Sequence, residues 1–303
     1  MLTLIKKVHK FFTDPAVRFF CYDYLGIYNH MSDEKYLKKR IKTRMGYDLD
    51  LEHPKRFNEK MQWLKLNEHV EVYTNLVDKY LVKRWIADLL GEECIIPTIG
   101  VWDNVDEIDF NNLPEQFVIK CNHNSGEGML ICKDKQKINI KRVKRKLKKA
   151  LQRNYYLLGR EWPYKNVKRK IIAEQYMDDG SGQLNDYKLF VFEGKVHFIQ
   201  VDFDRFTNHR RNFYDTNWNY VPFTTCYPTD PKHEITKPNC LYDLIKMAER
   251  IAEALNNPHF LRVDFYIIKE HIYFGEITFY HGNGNEQFYP DEWDYKLGEL
   301  IKI

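Results

Sequence analysis

Apolar positions change their spacing near residue 110, and the change divides this chain. Up to about residue 110 they recur three and four apart, as in Phe57-Asn58-Glu59-Lys60-Met61-Gln62-Trp63-Leu64, the spacing that lays one face of a helix on a core. Ser32-Asp33-Glu34-Lys35 opens one such helix in capping fashion, and Pro54 marks the break before the next. A further helix is expected to run unbroken from residue 77 to 86 and to end at Gly91. Residues 95–102 read as an extended segment. From residue 116 the apolar positions alternate, or run together with β-branched and aromatic residues, which is strand patterning. Segments 116–121 and 129–132 should form a hairpin around Asn122-His123-Asn124-Ser125-Gly126-Glu127-Gly128. Segment 170–177 is a strand, and 186–192 pairs with 195–201 around Glu193-Gly194. Residues 205–235 are aromatic and loop-rich, and 241–255 form a helix with Leu244, Met247, Ala248 and Ile251 on one face. Two last strands, 261–266 and 272–279, pair around Lys269-Glu270-His271. No repeat is visible.

The last two strands each carry one carboxylate in an apolar setting, Asp264 and Glu276. A buried carboxylate costs several kcal/mol unless a cation or hydrogen bonds compensate it. Two on neighbouring strands point to a shared cation, most simply Mg²⁺ held by oxygen ligands. The alternative is a pair of satisfied strand acids, each capping a loop or pairing with Arg262.

Composition narrows the classes. A chain of 303 residues, 44% hydrophobic, can bury a sizeable core in two domains, or in one domain with a large lobe. A net charge of +4 is modest and does not by itself imply nucleic acid. The charge is uneven, however: from Lys135 to Arg160 there are eleven Lys or Arg and no acid. Ile140, Val143, Leu147 and Leu151 recur at helical spacing inside that run, so it reads as an amphipathic helix with Lys141, Arg142, Arg145, Lys148 and Lys149 opposite the apolar stripe. Such a face is either simply solvated or meets a polyanion, a phosphate-bearing ligand or an anionic lipid surface. The six cysteines form no Cys-x-x-Cys pair and no zinc spacing, which fits reduced thiols in a cytoplasm. Residues 1–20 are too often interrupted by charge for a signal peptide, and no apolar run reaches the ~20 residues of a membrane span. A soluble, cytoplasmic protein is expected.

Taken in order, the pieces resemble the ATP-grasp superfamily, and more closely the TupA-like ATP-grasp family linked to teichuronopeptide and capsule polysaccharide biosynthesis. The match is carried by Phe57-Asn58-Glu59-Lys60, Asp78-Lys79-Tyr80, Phe117-Val118-Ile119-Lys120-Cys121-Asn122-His123 and Glu161-Trp162-Pro163-Tyr164. It continues in Asp186-Tyr187-Lys188, Arg262-Val263-Asp264-Phe265-Tyr266, Gly275-Glu276-Ile277-Thr278-Phe279 and the ending 292–300. The resemblance implies an α/β (α+β) ATP-grasp fold: a helical N-terminal region over 1–110, a β-hairpin lid over 111–176 and a C-terminal antiparallel-sheet lobe over 177–303.

It also implies roles. Lys120 would contact the α- and β-phosphates of ATP, with Lys79 as a second phosphate ligand and the loop around Ser125 and Gly126 closing over the triphosphate. Glu174 and Tyr176 belong to the segment that reads adenine, and Asp178, Asp179 and Asp186 are candidates for the ribose hydroxyls. Asp264 and Glu276 would hold Mg²⁺ against the phosphates. Many ATP-grasp enzymes have Glu-x-Asn where this chain has Glu276-Ile277-Thr278, so Thr278 replaces an Asn carbonyl, with Asn283 and Asn285 as other oxygen donors. Lys188 matches a basic residue often found just beyond the adenine-reading hinge, and Arg205 with His209-Arg210-Arg211-Asn212 resembles the arginine-containing segment that faces the transferred phosphate in related amide ligases. Cys121 should point away from Lys120 and pack; His123 either touches phosphate or caps the loop.

The implied activity is ATP-dependent carboxylate–amine ligation through an acyl phosphate. The expected partners are an anionic saccharide (a uronic acid) or lipid-linked sugar acceptor and an amino acid or amine, with no nucleic acid and a peripheral membrane contact as a further partner. Three rivals stand beside it. Asp202-Phe203-Asp204 is the Asp-x-Asp of metal-dependent glycosyltransferases, though no nucleotide-binding βαβ unit precedes it. A kinase, or an ATP-binding scaffold without turnover, could use the same fold.

Overall fold

The structure, a computed structural model, describes residues 9–182, 184–205 and 207–303. Its helices are α1 (Pro15–Tyr24), α2 (Asp33–Met45), α3 (Phe57–Asn67), α4 (Val72–Val77), α5 (Leu81–Leu90), α6 (Ile140–Gln152), α7 (Leu241–Ala254) and α8 (Glu292–Glu299). A four-stranded sheet has the order β1-β4-β2-β3, from β1 (Thr98–Trp102), β2 (Phe117–Cys121), β3 (Leu130–Cys132) and β4 (Ile171–Gln175). A six-stranded sheet runs β11-β10-β5-β6-β7-β8, from β5 (Asp186–Phe192), β6 (Lys195–Phe203), β7 (Arg210–Tyr214), β8 (Tyr220–Val221), β10 (Phe260–Ile268) and β11 (His271–Thr278). A short pair, β9 (Thr224–Thr225) and β12 (Phe288–Tyr289), lies beside it. All strand pairs within the sheets are antiparallel.

Strand residues alternate sides, so each sheet lays one uniformly apolar face on a helix. In the small sheet Phe117, Ile119, Cys121, Ile171 and Ala173 are buried with Val143, Leu147 and Ala150 of α6 in one core. In the large sheet Leu189, Val191, Ile199, Val201, Leu261 and Val263 share a core with Leu244, Ala248 and Ile251 of α7. The opposite faces carry the charged residues, which on the large sheet lie beside a buried cluster of Phe190, Phe192 and Phe260 packed on Phe57 of α3. Thus Cys121 packs, with its thiol pushed up to about 12 by burial, while Lys120 turns to the other side.

Three expectations are corrected. The helix expected over residues 77–86 is two helices, α4 and α5. Asp78 breaks it by accepting the amide N–H groups of Tyr80 (2.8 Å) and Leu81 (3.2 Å), while its other oxygen takes the Asn122 side chain (2.7 Å). Next, β1, on the N-terminal side of residue 110, pairs with β4 and so belongs to the sheet of the lid. Finally, Arg210 and Arg211, in a stretch read as loop-rich, lie on strand β7.

Candidate active site

The break at Asp78 delivers the first functional lysine. Lys79 donates its backbone N–H to the Asn122 carbonyl (3.1 Å), which ties it to the start of the 122–128 loop, and its ammonium stands 3.6 Å from Glu276 on β11. One helical turn later Lys83 reaches Glu174 of β4 at 2.7 Å, and Lys120 of β2 meets the other oxygen of Glu174 at 2.5 Å. Burial pushes the Glu174 carboxyl up, but the two lysines outweigh it and hold it below the usual carboxylate range. Three ammonium groups therefore converge around one buried acid, Glu174, and one partly open acid, Glu276. That leaves net positive charge where a polyanion would sit.

On the large sheet the register aligns the next cluster. Glu276 lies opposite Asp264, and Asp264 opposite Lys188, in one row across β11, β10 and β5. A bulge after Asp264 adds Gly275 on β11, where a Cβ would stand 3.0 Å from the Asp264 carbonyl oxygen, so the close approach needs glycine. Arg262, two residues before Asp264 on the same face, grips both Asp264 oxygens with Nε (2.7 Å) and NH2 (2.8 Å) and reaches Glu276 at 3.1 Å. Lys188 bridges Asp264 (2.5 Å) and Asp186 (2.6 Å), and Arg205 joins Asp186 at 2.9 Å. Burial pushes the Asp264 carboxyl up against the pull of Arg262 and Lys188. Glu276 differs: desolvation would raise it, but Lys79, Arg262, Lys188 and Lys120 hold it at about 2.

A second row continues across the sheet, with Asp186 opposite Asp202 and Asp202 opposite Arg211. Arg211 donates to both oxygens of Asp202 (2.7 and 3.2 Å) and reaches Glu286 at 3.4 Å. Burial would raise Asp202, yet Arg211, Lys188 and His209 bring it down to about 2. His281 links the two rows: its Nδ1 lies 3.0 Å from Arg262 NH1 and its Nε2 3.3 Å from Glu286. A guanidinium can only donate, so Nδ1 is the acceptor, and the proton of a neutral ring sits on Nε2 facing Glu286.

The turn carrying His281 is held from α3. Lys65 donates to the backbone carbonyl (2.8 Å) and side-chain oxygen (2.6 Å) of Asn283, Gln62 to the Gly284 carbonyl (2.5 Å), and Asn283 in turn to Glu161 (2.6 Å). Full burial lowers Lys65 to about 7 against the pull of Glu161. These contacts fix Gly282, Asn283 and Gly284 in the left-handed region, at φ 56°, 58° and 58°.

The remaining candidates fall as follows. Ser125 and Gly126 form the exposed tip of the loop, where Tyr155 bonds to Ser125. His123 is buried and faces the Arg153 carbonyl at 3.1 Å, a loop-holding contact, with burial lowering it to about 4. Tyr176 follows β4 beneath Lys133. Asp178 and Asp179 cap their own turn, at Gly180 and Ser181. The Arg210 Nε has no hydrogen-bond partner among the described residues. Asp202 is enclosed by Arg211 and Gln200, while Asp204 lies past the strand end at φ 52°, so the Asp-x-Asp does not present two free carboxylates.

Mg²⁺ can be tested against these donors. Glu276 suits it: ionised, with 35% of its side chain open to solvent. Asp264, as arranged, does not, because a guanidinium and an ammonium already occupy both its oxygens. The Asn283 side chain serves Lys65 and Glu161, and no group of three or more His, Cys, Asp or Glu able to hold a metal occurs among the described residues.

Sequence reading assigned no role to Lys83, Lys65, Glu161 or Glu286, and it named Arg262 only as a partner for the strand acids. Lys83 had a signal, since it stands one helical turn after Lys79. Glu286 had none, because it reaches Arg211 through a turn with no regular spacing.

Lysines from a helix break, a helix and a strand of the small sheet therefore converge on Glu174 of that sheet and Glu276 of the large one. The model of the TupA-like ATP-grasp family matches residues 59–302, and the chain belongs to that family. No curated protein matches its sequence. Among solved structures it is similar to D-alanine–D-alanine ligase from Bacillus anthracis complexed with ATP, at 14% identity and TM-score 0.43, covering 80% of this chain and 65% of that one. D-Alanine–D-alanine ligase from Helicobacter pylori gives 16% identity and TM-score 0.44 over 81% of this chain and 69% of that one. An L-amino acid ligase from Bacillus licheniformis gives 13% and 0.43 over 84% and 56%. The chain thus spans less than two thirds of the first of these proteins. No helix among the described residues is long and apolar enough to cross a membrane.

Proposed function

We propose that this protein is an ATP-dependent carboxylate–amine ligase that joins an amino acid or amine to a saccharide carboxylate, such as a uronic acid, in surface polysaccharide assembly. The observation that carries it is Lys79, which is tied to the 122–128 loop by its backbone and stands beside Glu276 by its ammonium. One residue thereby joins the lid to the acid of the sheet. Lys79, Lys83 and Lys120 bind the phosphates of ATP, where concentrated positive charge offsets the triphosphate. The acceptor carboxylate oxygen attacks the γ-phosphorus and the bond to the ADP oxygen breaks, giving an acyl phosphate. The amine then attacks the acyl carbon, a C–N bond forms, phosphate leaves and the amine gives up a proton. Arg262 is placed to take the negative charge that builds on the acyl oxygens, since its guanidinium already spans Asp264 and Glu276. Mg²⁺, when bound, neutralises phosphate charge; Glu276 would hold it, and Asp264 would join only by giving up Arg262 or Lys188.

The test is incubation with ATP, Mg²⁺, candidate uronates and amines. ADP and free phosphate that require both co-substrates are expected. ADP without phosphate release would make the protein a kinase, UDP release from a sugar nucleotide a glycosyltransferase, and ATP binding without turnover a scaffold.

A further inference from the structure

The basic helix α6 is not used by the site. Val143, Leu147 and Ala150 face the small-sheet core, while Lys141, Arg142, Arg145, Lys146, Lys148 and Lys149 are exposed. No acid lies on the helix to neutralise them. Its C-terminal end meets a second unusual feature. Tyr24, the last residue of α1, lies under Arg153 (3.6 Å from guanidinium carbon to ring centre) and Lys149 (5.0 Å), and Arg153 donates to its carbonyl at 3.0 Å. The turn that follows exposes apolar side chains: Leu25 is 73% and Ile27 56% accessible. On the far side of that turn Lys39 of α2 lies over Tyr28 at 5.4 Å. Glu127 pairs with Arg153 at 3.4 Å, so the exposed apolar turn sits between Lys149 on one side and Lys39 on the other and continues into a helix face that carries no acid of its own.

We propose that this surface docks on an anionic lipid bilayer, with Leu25 and Ile27 entering the headgroup boundary and α6 lying along the charged surface. Cations alone would serve a soluble polyanion equally well. The exposed Leu and Ile between them favour a membrane, because only a bilayer offers an apolar phase beneath an anionic layer. The proposal is independent of the ligase reading, since vesicle binding needs neither ATP nor acceptor.

Flotation of the full chain tests it, with phosphatidylcholine vesicles against vesicles carrying about a third phosphatidylglycerol. Binding to the anionic vesicles only, weakening steeply with salt, is expected. K141E/R145E/K148E should lower the partition by about a hundredfold or more, since each cation near the surface is worth roughly fivefold. L25S/I27S, which leaves the charge unchanged, should lower it by about tenfold. Unfolding midpoints matching the wild type confirm that both variants fold, and the wild-type lipid and salt dependence stands even where one does not. No binding to anionic vesicles overturns the proposal, as does equal binding to neutral ones. Binding to soluble polygalacturonate that L25S/I27S leaves intact, together with vesicle binding that it also leaves intact, would reassign the face to a soluble polyanion.

Discussion

The charged cluster on the small sheet and the one on the large sheet are built from the same residue types but differ in balance. Around Glu174, two lysines face one carboxylate, and Lys79 adds a third ammonium towards Glu276. Around Asp264, the three cations Arg262, Lys188 and Arg205 are met by the three acids Asp264, Asp186 and Glu276, inside a network of short contacts. The first cluster has more cation than anion and gains from an added polyanion. The second is neutralised from within, so its buried charges hold one another in place. Excess charge suits binding, whereas compensated charge suits orientation.

Substitutions can break or sharpen that contrast. D264N removes the acid that both Arg262 and Lys188 hold, leaving two buried cations short of a partner. Unfolding in urea should show a loss of about 3–5 kcal/mol. E276Q, on an acid a third open to solvent, should cost less than D264N, about 1–2 kcal/mol once solvent screening is allowed for, while abolishing turnover. Equal stability losses in the two would erase the distinction. K120M removes a cation from the open cluster, and the kcat/KM for ATP should fall about 10²–10³-fold, with K83M affected less; unchanged nucleotide affinity by calorimetry would refute the phosphate-binding role.

A third test uses pH. Asp202 sits at about 2 in the folded chain against an ordinary 3.8, so protonation is disfavoured by folding. The stability it contributes is complete above about pH 4 and is lost as the pH falls towards about 2, for a total of about 2 kcal/mol. D202N should flatten that acid limb of the urea midpoint; a wild-type-like limb would mean that Arg211 does not hold the acid. The smallest effect concerns the lid. Gly128 has φ 80°, and a Cβ there would stand 2.8 Å from the Ala150 Cβ. G128A should cost about 1–2 kcal/mol and raise the KM for ATP several-fold, leaving the six-stranded sheet's hydrogen-exchange protection unchanged.

Much of this was legible in the chain. The hairpin around Glu193-Gly194, the strands bearing Asp264 and Glu276 and the helix bearing the lysine run all occur where periodicity placed them. The order of motifs also named the family, because many short elements in sequence are far less frequent by chance than any one. The broken helix at Asp78 was not legible. Its capping acid is also a plausible helix residue, and the Asn122 side chain that completes the break lies 44 positions away.

What the sequence by itself determined is most of the elements and the placing of Asp264 and Glu276 on the two strands of one hairpin. Alternation along a strand fixes which residues share a face, but the two-residue turn alone would set Asp264 opposite Gly275, and the bulge after Asp264 moves the pairing to Glu276. Only the tertiary structure decided what neutralises those acids. Arg262 is the sequence neighbour of Asp264, but Lys188 arrives from β5 and Lys79 from a helix break, while His281, which accepts from Arg262, sits on a turn that α3 holds in left-handed geometry. A buried charge is stabilised by whatever lies within a few ångströms of it, and that distance is set by packing between elements rather than by position along the chain.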